Sequence, residues 1–308
     1  MDVRQMPVAL SDLGMGSKDE SAMMGMGYLP ELADIRDLNI KSKGIAKILE
    51  STGVLKAAPS IPASVDIRQY CSPIENQLNL GSCTANAGVG LLEYFERKSF
   101  GKHIDASRLF LYKATRDLMQ VTGDTGAYIR NTLGAIALFG VPPEKFWPYD
   151  ITKFDIEPSA FLYAFAEDFK GLQYYRLDPP GATAASVLAT IKAWIAAGFP
   201  SEFGFTVYSS ISQAATTGTG KIPFPCAGEK VLGGHAIDAV GYDDNMKIKN
   251  TNCGLTTTGA FLIRNSWGTG WGAAGYGWLP YDYVLKGLAN DWWTLVKADW
   301  IDTGQFGI

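Results

Sequence analysis

Histidine and cysteine are scarce in this chain: two histidines and four cysteines among 308 residues. No cluster of these residues has zinc-ligand spacing, so neither a metal nor an organic cofactor is expected. Four cysteines in a chain this long do not make a disulfide scaffold. No apolar run reaches the roughly 18–20 residues of a membrane span. With a net charge of −4 and a pI of about 5.3 the chain has no basic footprint for nucleic acid. The start, Met1 to Pro7, shows no basic stretch followed by an apolar one, so no secretory signal is visible and the compartment stays open. No internal repeat is apparent.

What is present is 47% hydrophobic residues, 12% aromatics and 34 glycines. That composition describes a folded, turn-rich globular protein with room for a large core. Residues 1–30 read as loop or tail. Apolar residues Ile35, Leu38, Ile45, Ile48 and Leu49 recur at helical spacing and predict a helix over 35–55. Ala57-Ala58-Pro59-Ser60-Ile61-Pro62 reads as a linker and places a boundary near residue 59. Beyond it, helices are expected over 81–98, 106–120 and 126–139, then over 182–197. Strands are expected at Glu202–Tyr208, His235–Tyr242, Ala260–Ser266 and Trp292–Trp300. The fold class is α+β, with a helical lobe at about 75–170 and an antiparallel β lobe at about 171–308.

Three short contexts carry the chemistry. Cys83 follows Gly81-Ser82 at the start of a predicted helix, where unpaired N–H groups and the helix dipole favour a thiolate. His235 follows two glycines and opens a strand; His103 lies in a polar turn and reads as surface. Asn265 ends another strand, where its side-chain carbonyl would fix the tautomer of an imidazole, and Trp267 would shield that bond from water. Gln77, six residues before Cys83, supplies a side-chain amide for a developing oxyanion. With Cys83 a free thiol, three cysteines remain and at most one bridge forms. Cys226 and Cys253, which bracket His235, are a candidate pair, although proximity in sequence fixes no geometry.

These segments resemble the papain-like cysteine peptidases. The resemblance runs from residue 60 to about 300 and rests on Ile61–Arg68, Asn76-Gln77, Gly81-Ser82-Cys83, Gly234-His235-Ala236 through Tyr242, and above all Asn265–Gly272. Ser107–Phe110, Asp124–Ala127 and Trp147–Tyr149 resemble a bacterial and archaeal branch. The resemblance implies a two-lobed fold with a cleft between helical lobe and β-barrel lobe, and a peptide or protein substrate. Cys83, His235, Asn265 and Gln77 would be catalytic; Gly126, Gly234 and Trp267 would bind substrate. Three departures stand out. The first cysteine of the family's nucleophile signature is replaced by Leu80, so its usual disulfide cannot form there. Thr84 replaces an aromatic residue, and Lys249–Gly259 looks like an inserted loop.

Residues 1–59 are expected either to inhibit the enzyme from within the chain, with the 35–55 helix near the cleft, or to be a permanent accessory cap. Two other functions remain open: an acyl transferase or transpeptidase using the same residues, and a catalytically silent binding protein that kept the fold.

Overall fold

The computed structural model describes residues 7–15, 23–34, 36–39, 42, 61–169 and 171–298. Its framework is a seven-stranded antiparallel sheet in the order β4-β9-β5-β6-β7-β8, with β3 pairing β6 off that path. The strands are β3 (Ser64–Asp66), β4 (Gly171–Arg176), β5 (Ser201–Tyr208), β6 (Val231–Lys249), β7 (Thr256–Arg264), β8 (Tyr276–Pro280) and β9 (Ala289–Ala298). The long helices are α1 (Cys83–Phe100), α2 (Arg108–Leu118), α3 (Ile129–Leu138) and α5 (Ala184–Ala196), with a shorter α4 (Ala160–Ala166). Short helices α6 (Ser212–Thr216) and α7 (Asp282–Leu285) flank the sheet.

Two apolar cores result. One gathers α1–α4 around Leu92, Phe110, Leu133 and Ile136; the other packs α5 and the sheet around Ile191, Phe203, Phe261 and Trp292. Helix α1 lies between them. Two of its glycines make this approach feasible, because a Cβ at Gly88 would press on Thr132 and Ile136 of α3. A Cβ at Gly90 would strike Arg264 and Asp238.

The expected long helices and the four strands are present with ends shifted by a few residues, apart from the last two residues of the Trp292–Trp300 strand, which lie outside the described residues. Strands β3, β4 and β8 are additional to those expected. The segment 249–259 forms the tip of the β6–β7 hairpin: β6 runs to Lys249 and β7 resumes at Thr256. Cys253 sits in that tip and is bonded to Cys226, with 6.1 Å between their Cα atoms, whereas Cys71 stays free. His103 is half-buried rather than fully on the surface.

The N-terminal region departs most from expectation. The 1–30 stretch is no loose tail where it is described. Val8–Ala9 (β1) pairs with Met23–Met24 (β2), and Val8, Leu13, Met24 and Met26 are buried in the sheet-side core. Of the helix expected over 35–55, Arg36–Asn39 and Ser42 are described, and they form turn and irregular chain; the rest, like the 57–60 linker, lies outside the described residues.

Candidate active site

Cys83 is the first residue of α1 and His235 lies in β6, so the two core-forming units meet at this pair. Sγ of Cys83 accepts the N–H of Ala236, the residue after His235, at 3.4 Å. Nε2 of His235 lies 2.8 Å from Oδ1 of Asn265. That oxygen also accepts the Ser266 N–H at 2.8 Å, which fixes the amide's orientation. An oxygen at that position requires the proton on Nε2, leaving Nδ1 as the basic nitrogen; Nδ1 is buried and has no hydrogen-bond partner. Trp267 stacks on the imidazole at 4.6 Å and packs edge-on against Trp271.

The wall beside Cys83 is sewn from two short motifs. Gln77 N–H donates to Ser266 O at 2.9 Å, Gly268 N–H donates to Glu75 O, and Asn76 bridges Trp267. Ser266 Oγ donates to Gln77 Oε1 at 2.6 Å, so the NH2 of Gln77 is held facing the cleft side. Gly268 and Gly272 adopt left-handed backbone (φ 72° and 56°), and a Cβ at Gly272 would strike the backbone of Tyr276. This is why the Asn265–Gly272 run is so particular in composition.

Residues absent from the sequence-based site hold this wall in place. Arg108 pairs with Glu75 and Glu144 and lies over the Tyr149 ring at 4.1 Å. Tyr149 Oη donates to Gln77 O at 3.0 Å. Asp124 accepts the Gly81 N–H at 3.0 Å and the Tyr112 hydroxyl, and that hydroxyl in turn accepts the Gly126 N–H. The Ser107-Arg108, Asp124–Ala127 and Trp147–Tyr149 motifs therefore act together to position Gln77 and the loop before Cys83. Thr84, one of the departures noted in the sequence, accepts a hydrogen bond from Thr132 of α3.

A strap formed by residues 24–29 lies across this site. Gly25 N–H donates to Leu78 O, and Gly25 O accepts the NH2 of Gln77 at 3.1 Å. Gly27 lies against Cys83, its N–H near enough to Sγ to oppose the rise of the thiol pKa. Gly27 O accepts the Ala127 N–H at 2.7 Å, Leu29 N–H donates to Ala127 O, and Tyr28 N–H donates to Gly234 O. Ala127, not Gly126, therefore makes the strand-like pairing. Gly126 (φ 72°) leaves room, since a Cβ there would lie 2.4 Å from Gly27 O. The strap itself depends on glycine, because a Cβ would lie 2.0 Å from Leu80 O at Gly25 and 1.7 Å from Gly81 O at Gly27. The sequence signal was the alternation Met24-Gly25-Met26-Gly27-Tyr28, a strand with one face stripped of side chains.

Under the strap, Cys83 and His235 are fully buried. Burial pushes the Cys83 thiol up to about 12, and burial pushes the His235 imidazole down to about 4. The covered pair is a neutral thiol and a neutral imidazole. The low thiol pKa expected from the helix N-terminus is overridden because the low-dielectric surroundings penalise the charged form more than the helix end favours it.

The Papain family cysteine protease model matches residues 61–291, three quarters of the chain, and the chain belongs to that family. It is 35% identical over 284 residues to an uncharacterized peptidase C1-like protein of Acanthamoeba polyphaga mimivirus, covering 88% of this chain and 86% of that one. It resembles the crystal structure of xylellain, a cysteine protease from Xylella fastidiosa, with a TM-score of 0.68 and 32% identity, covering 88% of this chain and 96% of that one. Papain of Carica papaya is 28% identical over 220 residues, 70% of this chain and 54% of the papain sequence. The protein is thus a papain-like cysteine protease, a hydrolase with the family's two-lobed α+β fold.

Proposed function

We propose that Cys83, His235, Asn265 and Gln77 form the catalytic machinery of peptide-bond hydrolysis, and that residues 1–59 hold it shut. The observation that carries this reading is that Cys83 Sγ accepts the N–H of the residue after His235, whose ring is held by Asn265, while Gln77 is fixed in the wall before the Cys83 helix. Nδ1 of His235 takes the Cys83 proton and the thiolate attacks the peptide carbonyl carbon. Gln77 and the Cys83 N–H, which lies ahead of the first intrahelical bond, stabilise the oxyanion. His235 returns its proton to the leaving amine as the C–N bond breaks. Water, deprotonated by the same imidazole, then cleaves the thioester and releases Cys83. Asn265 and Trp267 keep the imidazole in one tautomer and orientation. Ala127 and Gly234 offer backbone groups to an extended peptide, and Gly126 provides the clearance.

The strap supports the inhibitory reading of residues 1–59 over a remote accessory cap. Gly25 O occupies one oxyanion donor and Gly27 lies on the nucleophile. The motifs at 107–110, 124–127 and 147–149, with the likeness to xylellain, favour the bacterial branch of the family.

The test is intact mass and peptide mapping after exposure of reduced protein to a peptidyl epoxide. Full-length chain and full-length Gly27→Ala chain would be compared. One adduct on Cys83, absent in Cys83→Ala and faster in Gly27→Ala, is expected. Absence of labelling in both folded chains would remove the hydrolase mechanism in favour of a binding role. Ligated products on adding amine nucleophiles would move it to acyl transfer.

A further inference from the structure

Helix α1 crosses the sheet over a row of charged side chains. The strand register puts Trp293 of β9, Glu202 of β5, Asp238 of β6 and Arg264 of β7 side by side. The row faces α1. A Cβ at Gly88 would lie 3.6 Å from Oε2 of Glu202, and one at Gly90 would lie 2.7 Å from Oδ2 of Asp238 and 2.3 Å from Nη1 of Arg264. Glu202 and Asp238 are both buried, so the seam between the two cores holds two adjacent carboxyl groups out of reach of bulk water.

The nearby cations are committed elsewhere. Arg264 lies 3.8 Å from Asp238 and donates to Ser72 Oγ and Pro73 O. Arg176 of β4 pairs with Asp178 and Asp291. Glu202 pairs with neither. Both its oxygens, like Oδ1 of Asp238, have no hydrogen-bond partner among the described residues. The surrounding elements bring no further cation to the row. Helix α1 brings Cys83 and Glu93, which accepts the Ala106 N–H, and α3 brings Thr132 and Ile136. Cys71 and Tyr276 stand near Arg264. Strand β9 brings Asp291, which accepts the Trp293 Nε1–H, and the strap brings the Tyr28 phenol near it. Two ionised carboxylates opposite each other on adjacent strands repel, and dry surroundings strengthen the repulsion. One proton on the pair removes one charge and gives Oδ1 of Asp238 a donor.

We propose that Glu202 and Asp238 hold one proton between them in the folded protein and act as a pH-sensitive fastening of the nucleophile's helix to the sheet, tight in acid and loosened as pH rises. Asp238, beside Arg264, is the carboxylate and Glu202 the acid. Burial pushes both carboxyl pKa values well up; the Asp238 and Asp291 charges add to the rise at Glu202, whereas Arg264 opposes it at Asp238. A glutamate in the unfolded chain gives up its proton near about 4.3. Above that value the native pair binds more protons than the unfolded chain. Its contribution to stability is complete below about 4.3, falls as pH rises, and is gone once pH passes the native pKa. An ionised Glu202 would also set a negative charge near Cys83 and oppose its thiolate. The pair titrates whether or not the site hydrolyses peptides, so the inference stands apart from the peptidase reading.

The experiment compares urea unfolding of the full-length chain and of full-length Glu202→Gln at pH 5.5, 6.5 and 7.5. One extra proton in the native state changes the unfolding equilibrium about tenfold per pH unit. Between pH 5.5 and 7.5 the unfolding constant of the unsubstituted chain is expected to rise about 10- to 100-fold more than that of Glu202→Gln, whose amide imitates the protonated acid without titrating. The comparison cancels the slopes from Glu93, Glu96 and Asp291, whose carboxyls burial also raises. Amide hydrogen exchange around Gly88 and Gly90, corrected for its intrinsic pH dependence, should quicken in step in the unsubstituted chain only. Glu202→Met is the second replacement should the amide not fold. Infrared spectra at pH 6.5 give a separate reading: a protonated-carboxyl stretch present in the unsubstituted chain and lost in either variant. Parallel pH dependence of the two chains, or a protonated-carboxyl band unchanged by the replacement, would overturn the proposal.

Discussion

Two extended segments pass Cys83: one donates a backbone N–H to its sulfur and the other brings one near it. One is the part of β6 at 233–236, which supplies Ala236 N–H; the other is the strap at 24–29, which supplies Gly27 N–H. The first is integral to the sheet: β6 pairs with β5 over 231–239 and with β7 over 238–249. The second is held by a handful of backbone bonds at Leu78, Gln77, Ala127 and Gly234. Beyond these it is tied down by Glu31 and Asp37 on Arg130, with Arg176 3.6 Å from Asp37. A ladder within a core opens only with the fold, whereas a strand on a cleft can leave while the fold stays. On the proposed inhibitory reading, the contact at the sulfur belongs to a permanent component in one case and a removable one in the other.

Removing the permanent contribution should have the largest effect. His235→Ala in the Gly27→Ala background is expected to lower kcat by about 1,000-fold or more, because nucleophile and base act as a unit. Steady-state hydrolysis of a fluorogenic peptide amide reads this directly. A loss of only a few fold would mean that another group takes the thiol proton.

Removing the temporary contribution should act in the opposite direction. Gly27→Ala places a methyl group 1.7 Å from Gly81 O, a clash with backbone that no rotamer relieves. Activity and epoxide labelling of the full chain are expected to rise by about 10- to 100-fold, as several hydrogen bonds of about 1 kcal/mol each are lost from the closed state. Asp37→Ala attacks the strap at its far anchor. It leaves Arg130 with Glu31 and Arg176 with Asp178 and Asp291, so a smaller rise, about tenfold or less, is expected in the same assay. Equal activity of all three chains would show that the strap does not limit access and would restore the accessory-cap reading.

The permanent and removable parts also differed in how legible they were. Cys83, His235, Asn265 and Gln77 stood out because each needs unusual neighbours: small residues before a helical thiol, glycines before a strand histidine, left-handed glycines around two buried tryptophans. The helices α1, α2, α3 and α5 followed from apolar periodicity. The strap did not, because its stability comes from backbone bonds to Leu78, Ala127 and Gly234, partners about 50 to 200 residues away in the chain, about which local periodicity says nothing. Alternating glycine looks like a flexible tail until the opposing backbone is in place. The strand β4 was missed for a related reason: its partner β9 is far along the chain. The supporting bonds of Arg108, Asp124 and Tyr149 were visible as motifs but not as neighbours of Gln77.

The smallest expected effect concerns acid. In the closed state burial holds His235 down at about 4, against an ordinary value of 6.5. With the strap displaced, water reaches the ring and its pKa returns toward the ordinary value. Between those two values the open form binds more protons than the closed one. The closed form is therefore favoured as pH rises through this window and loses ground as pH falls from 6.5 toward 4. His235 contributes its full share to closure above 6.5, and that share is lost on acidification. Cys83 leaves this slope unchanged where its thiol keeps its proton in both forms, as it does in the closed one, where it is raised to about 12; ionisation of Cys83 on opening would offset the His235 contribution. Amide hydrogen exchange at 24–29, corrected for the intrinsic pH dependence of exchange, should show strap protection falling by about tenfold between pH 6.5 and 4.5. His235→Gln, which keeps a polar side chain but cannot titrate, should flatten that dependence. Protection that falls equally in His235→Gln would assign the acid response to the carboxylates of the Glu31–Asp37 anchor instead, and would shift the weak point of the strap from the nucleophile to its far end.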